Sequence, residues 1–306
     1  MTGNPQSGHA TGPRRFSDQA TVGPAGSLEL EFPQGAAAGR LHAYTATGAI
    51  RRTAALERAG FRFGACGTQS SRSIMLPELS ELLDALPKNA SRADYRTSIV
   101  EDNILAKPTR SARLTSAQCL TQLYALDHEV PLFRVLRRLW ECERASSHGR
   151  PLLGLLTALA RDPLLRLTAG PVLALPAARE LVRSEFADSI RQETGPRFND
   201  AVLNKVAINA ATSWTQSGHL EGRRHKIRRV VSPTPAAAAL AVWLAESEGL
   251  EGLRLMDSRW AAVLDAPVDA MMEYAAQASR LGLIRLRAAG NVVEASARAL
   301  DPESHP

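Results

Sequence analysis

Beyond about residue 41, apolar side chains recur at helical spacing in blocks of ten to twenty residues, separated by Gly, Pro and Ser. The most organised block is 197–231, RFNDAVLNKVAINAATSWTQSGHLEGRRHKIRRVV. Val202, Leu203, Val206, Ala207, Ala210 and Trp214 fall on one stripe there, which predicts an amphipathic helix with Trp214 in the core. Asn199 or Asp200 caps its start, because a side-chain oxygen at that position accepts from a free backbone N–H. Gly218 ends it, since a left-handed residue without a Cβ meets no clash. Lys205, Asn209, Thr212 and Gln216 recur at steps of four, three and four and line a separate polar face, with Ser213 beside them. Directly afterwards, Arg223, Arg224, Lys226, Arg228 and Arg229 place five permanent positive charges within seven residues, on a strip able to form a hairpin.

The same pattern sets out the rest of the chain. A helix is predicted over 42–60, ending at Gly60, then a Gly- and Ser-rich loop to 76 and a second helix over 77–86. Thr115 and Gln118 stand at capping-box spacing, ahead of a helix carrying Leu120, Leu123 and Tyr124 that closes near Asp127. After Pro131, Leu132, Phe133, Leu136, Leu139 and Trp140 point inward and leave Arg134, Arg137 and Arg138 outside. That basic face is a second candidate for phosphate, although an ordinary solvated face is the commoner reading. A buried helix over 151–168 breaks at Asp162-Pro163, and another over 177–193 carries Leu181, Val182, Phe186 and Ile190. Thr234-Pro235 starts a further helix, because proline tolerates the first helical turn. Leu240, Trp243 and Leu244 lie on its inner face, and Gly249 stops it. Helices over 258–264 and 267–281 precede two strands around Ala289-Gly290-Asn291. The predicted fold is therefore mainly α, multi-helical, with winged-helix-like elements and short β-hairpins in the C-terminal half. Its expected parts are a disordered tail (1–40), a helical domain (41–195) and a winged-helix-like C-terminal region (196–306).

Charge sharpens this picture. The chain of 306 residues carries 37 Lys+Arg against 31 Asp+Glu, a net of +6. Beyond Val230 there are six arginines and ten acids, against 31 cations and 21 acids before it. The earlier part thus favours a polyanion partner, while the acidic final module is expected to pack on protein. Lys88, Lys107, Lys205 and Lys226 are the only lysines. Arginine dominance suits phosphate and guanine recognition but also follows from a GC-rich coding bias. Cys66, Cys119 and Cys142 stand far apart, which argues against structural zinc and a disulfide framework and for a reducing cytoplasm. No membrane span, signal peptide or cofactor is predicted. A phosphate-cradling G-x-x-x-x-G-K-[ST] loop, a dinucleotide fingerprint and a Gly-x-Ser-x-Gly elbow are all missing, so the expected class is non-enzymatic.

Several runs resemble a known family: VEDNILAKPTRSAR at 100–113, Leu123-Tyr124, ARDPLLR at 160–166 and SWTQSGHLEG at 213–222. Together they are similar to the BrxA-like proteins of bacterial BREX phage-defence systems, over about 100–230. The resemblance implies a mainly helical component that binds double-stranded DNA and works beside a methyltransferase, an ATPase and a PglZ-like protein. The residues themselves point the same way: amides and hydroxyls on a helix suit base edges, and the cations after it suit phosphates. The expected DNA contacts are Lys205, Asn209, Thr212, Ser213, Gln216, Arg223, Arg224, Lys226, Arg228 and Arg229. A scaffold for other defence proteins and a winged-helix transcriptional regulator are the alternatives.

Overall fold

The computed structural model describes residues 46–64, 67–68, 71–143, 148–289 and 292–304, with side chains from residue 52 onward. The expected tail (1–40), the start of the first expected helix and the turn residues Gly290 and Asn291 lie outside the described residues. The fold is mainly helical, with two short antiparallel hairpins in the C-terminal half.

Helices α1 (Ala46–Ala59), α2 (Leu76–Ala85), α3 (Arg92–Val100), α4 (Arg110–Tyr124), α5 (Pro131–Cys142) and α6 (Arg150–Arg161) make up the first half. Gly60 ends α1 at φ 113°, where an added Cβ would lie 2.7 Å from a Val130 methyl. The short helices α7 (Pro163–Arg166) and α8 (Ala169–Ala174) follow, then α9 (Ser184–Thr194) and α10 (Asp200–Gln216). Strands β1 (Leu220–Glu221) and β2 (Ile227–Arg228) form the first hairpin. Helices α11 (Pro235–Ser247), α12 (Arg259–Ala262) and α13 (Val268–Arg280) lead to the second hairpin, β3 (Arg285–Ala289) and β4 (Val292–Ser296).

Helix α11 lies at the centre. Ala236 to Ala245 are all apolar and all buried, as a helix hydrophobic all round must be. It packs against α5, α6, α12 and α13. One continuous core runs from Leu56 to Leu300, so packing does not break at the expected boundary between 195 and 196. A smaller cluster of Leu164, Ile190, Leu203 and Val206 seats α9 and α10 against α7.

Three elements differ from the pattern. Helix α3 was not foreseen, although Ser91 and Asp94 cap each other's backbone in a complete capping box. Helix α4 starts well before Thr115, at a cap where Thr109 Oγ1 accepts from the Ala112 N–H at 3.1 Å. The expected helix over 177–193 begins only at Ser184. Residues 178–181 instead run along β2: Ala178 and Leu181 donate to the carbonyls of Arg228 and Lys226 at 2.9 and 2.8 Å, and Arg228 donates to Arg179 at 2.8 Å. Strand-like pairing took the amides that a helix would have used. Ala178 at φ 63° is left-handed, which breaks helical backbone there.

Buried and half-buried arginines close several helix ends. Arg137 donates to the carbonyls of Leu83 and Leu86 at the end of α2, at 2.5 and 3.0 Å. Arg161 reaches Thr121 and Gln122 at the end of α4, and Gly60 after α1. Arg166 binds Leu159 and Ala160 at the end of α6. Each guanidinium meets carbonyls at or just past the C-terminus of a helix, at the negative end of the helix dipole. Burial pushes the Arg161 and Arg166 pKa values down to about 10, which still leaves both charged at neutral pH. Arg137, expected outside, is therefore inside at 4% exposure. Arg134 pairs with the buried carboxylate of Asp301 at 2.7 Å, and Arg138, though exposed, donates to the Ala299 carbonyl. The second expected phosphate face is thus mostly occupied by the protein's own acceptors.

Candidate nucleic-acid interface

Order and pairing around α10 are those of a winged-helix-like module: α8, the edge segment 178–181, α9, α10, then the β1–β2 hairpin. Asn199 rather than Asp200 caps α10, accepting from the Val202 N–H at 2.9 Å. Leu203, Val206, Ala207, Ala210 and Trp214 are buried as the stripe requires. The Trp214 indole N–H donates to Thr168 Oγ1 at 2.8 Å, which satisfies its one polar atom inside the core.

The polar face divides along its length. Lys205 is exposed, and Asn209 and Thr212 are half-buried. The Thr212 hydroxyl donates back to the Ile208 carbonyl at 3.0 Å. Ser213 is fully buried, and its Oγ accepts from the Ile74 N–H at 3.0 Å. Gln216 Oε1 accepts from the Leu76 N–H at 3.2 Å, and its amide donates to Ser73 Oγ at 3.3 Å. Helix α2 begins at Met75 without a side-chain cap of its own, so Ser213 and Gln216 cap it from α10. These two residues are corrections: their hydrogen-bonding groups serve the fold and do not face a groove. The solvent ridge of α10 runs instead through Ala201, Asn204, Lys205 and Ile208, the last 44% exposed. Asn204 was overlooked because it sits beside Leu203, although its spacing to Ile208 is helical.

The basic strip divides as well. Residues Gly222 to Lys226 form the hairpin turn, with Gly222 at φ 100°. Its Cβ would collide with the His225 carbonyl, so the turn requires glycine. Arg223 and Arg224 are exposed on this turn, and their side chains have no ion pair or hydrogen bond among the described residues. Lys226 is half-buried, donating to Thr215 Oγ1 at 2.9 Å and to the Gly222 carbonyl at 2.7 Å. Arg229 is exposed and paired with Glu221.

Arg228 is the third correction. It is 3% exposed, its Nε donates to the Val172 carbonyl at 2.9 Å, and its guanidinium pairs with Asp265. Strand alternation explains this: Ile227 and Arg228 face opposite sides, and Arg228 pairs with buried Leu220 in the register. Asp265 also accepts from the Val231 N–H at 3.0 Å, so the turn after α12 holds the base of the wing. Next to it, buried His219 bridges Ser217 and the Val263 carbonyl at 2.9 and 2.7 Å. A carbonyl only accepts, so Nε2 carries the proton in the neutral ring, and burial pushes the pKa down to about 4. His225, by contrast, is exposed against Glu180.

Asn204, Lys205, Ile208, Arg223 and Arg224 therefore remain open to a ligand, with Lys226 beside them. Among the described residues, no group of three or more His, Cys, Asp or Glu side chains could hold a metal ion. Nor is any described helix long and apolar enough to cross a membrane. No protein-family model matches the chain, and no curated protein matches it.

Proposed function

We propose that the protein is a non-enzymatic component that binds double-stranded DNA through α10 and the following turn. The carrying observation is the adjacency of two open features. A solvent ridge of Asn204, Lys205 and Ile208 runs along α10 toward Ala211, which lines one cleft with Arg224 of the wing. Neither Arg223 nor Arg224 has an acidic partner among the described residues. In such a module the helix enters the major groove and the wing meets the backbone. Asn204 then offers an amide to a base edge, Ile208 a surface for a thymine methyl, and the cations meet phosphates. The runs similar to BrxA-like proteins extend the proposal to a BREX-like anti-phage system, with a methyltransferase, an ATPase and a PglZ-like protein as partners.

A titration of labelled duplex DNA across salt concentrations tests this. Log affinity is expected to fall with log salt by about 0.9 per phosphate contacted. Lys205→Ala and Arg223→Ala each lower that slope, whereas Asn204→Ala changes preference among sequences and leaves it intact. A wild-type protein that binds no duplex at low salt refutes the reading. A scaffold role is favoured by one observation on the second module: α13, its counterpart of α10, exposes Asp269 and Glu273. Those carboxylates repel phosphate and suit a basic protein surface, which binding to a purified partner in place of DNA would reveal.

A further inference from the structure

Beside the wing, a cleft of about 360 Å³ opens between the chain entering α9, the middle of α10 and the hairpin turn. Arg183, Arg224 and Lys226 line it from two separate stretches of chain, with Val182 and Ala211 as its apolar wall. We propose that this cleft seats one backbone phosphodiester of bound duplex DNA, with Val182 against the adjoining deoxyribose. The proposal rests on the DNA-binding reading above and extends the interface to the start of α9, where neither strip nor helix pattern had placed it.

Four observations carry it. Arg183 and Arg224 are exposed, and neither side chain has an ion pair or hydrogen bond among the described residues. Lys226 is held in place by Thr215 and Gly222, which take two of the three protons on its ammonium and leave the third for a ligand. Glu180, the acid at the rim, is hydrogen-bonded to His225 at 2.7 Å rather than to any of the three cations. Finally, Val182 is 55% exposed, an apolar side chain left at the mouth of a cationic cleft. Bringing like charges together destabilises the free protein, and an oxyanion between them reverses that. The Lys226 pKa already reports the strain, lowered first by burial and then by the Arg183 charge. Two forked guanidinium groups and an ammonium in one cleft match the oxygens of a phosphodiester, with Glu180 the one acid among the described lining residues.

The test is an anisotropy titration of the full chain on a short duplex, with Arg183→Ala and Arg224→Ala and with Arg280→Ala as a remote exposed control. Each cleft variant is expected to lower the salt slope by about 0.9, while the control leaves it unchanged. A duplex series with one uncharged methylphosphonate linkage at each position then locates the contact. Wild type loses affinity at one linkage, and Arg183→Ala is insensitive to that same linkage. If both cleft variants bind like wild type with unchanged slopes, the seat is overturned and DNA binding stands. If wild type binds no duplex, the DNA reading fails and the seat with it. If inorganic phosphate shifts the Arg183 and Lys226 NMR signals while every methylphosphonate duplex binds alike, the cleft takes a free oxyanion and the proposal is overturned.

Discussion

Asp265→Asn isolates the contact that ties the first wing to the second module. Asparagine tolerates the left-handed backbone at this position, φ 54°, and keeps an oxygen for the Val231 N–H. What it removes is the charge facing Arg228. The two side chains are only 4% and 9% exposed, so solvent does little to compensate. Removing one partner of a buried pair typically costs about 3–5 kcal/mol, and the retained Val231 bond puts this case near 3 kcal/mol. Urea unfolding followed by tryptophan fluorescence reads the loss as a lower midpoint at unchanged slope. Combining it with Arg228→Met should recover part of the loss, because no guanidinium is then left unneutralised. A cost below about 1 kcal/mol, the range of exposed pairs, refutes the burial argument. In that case Arg228→Ala should act as a phosphate anchor would, lowering the salt slope of DNA binding at unchanged stability.

Three further outcomes follow from the same contacts. His219 has a folded pKa of about 4 against 6.5 for the free side chain, so the unfolded state binds more protons between those values. Its contribution, about 3 kcal/mol, is complete above pH 6.5 and is lost as pH falls to 4; a His219→Gln variant whose stability varies with pH just as wild type does contradicts it. Ser213→Ala leaves the buried Ile74 N–H without an acceptor and should cost about 1–3 kcal/mol by denaturation, with the salt slope of DNA binding unchanged. Unaltered stability with weakened DNA affinity would return Ser213 to the interface. Arg137→Met strips the carbonyls of Leu83 and Leu86 and should destabilise by about 1–3 kcal/mol, which an unchanged urea midpoint excludes.

The helices were legible where one face is apolar and the ends are marked. Leu132 to Trp140 and Leu203 to Trp214 emerged from the spacing of a buried stripe, and Pro235 to Ser247 from its Thr234-Pro235 start and Gly249 stop. Residues 178–181 were not legible. Leu181, Val182, Phe186 and Ile190 fit a helical period, and only the distant β2 strand shows that Leu181 belongs to a sheet edge. Likewise, whether a polar residue on α10 faces solvent depends on where α2 begins, 140 residues earlier in the case of Gln216. Periodicity identifies a polar face but not what covers it. Within the strip, Arg228 is separated from Arg229 by strand alternation, and that requires knowing the register of a two-residue strand.

Arginine abundance illustrates the same difficulty at the level of function. As a composition, it favoured a polyanion partner throughout the first part of the chain. Arg113, Arg137, Arg161, Arg166 and Arg228 all donate to carbonyls at or near the ends of helices, and three of them are buried. A planar fork with five donors suits that task as well as it suits phosphate, and lysine, with a point charge, suits it less. The resemblance runs behave alike: Asp162 in ARDPLLR accepts from Thr68 and Leu165, and Trp214 and His219 in SWTQSGHLEG sit in the core. Those runs therefore serve packing in this chain more than chemistry. Net charge overstates any surface open to a polyanion for the same reason, since an internally matched cation attracts no phosphate. Lys205, Arg183, Arg223, Arg224 and Lys226 have no acid bound to them among the described residues, and of these Arg183, Arg224 and Lys226 line one cleft. The DNA interface proposed above is thus small and local, and its salt dependence is expected to correspond to a handful of contacts rather than to the full basic excess.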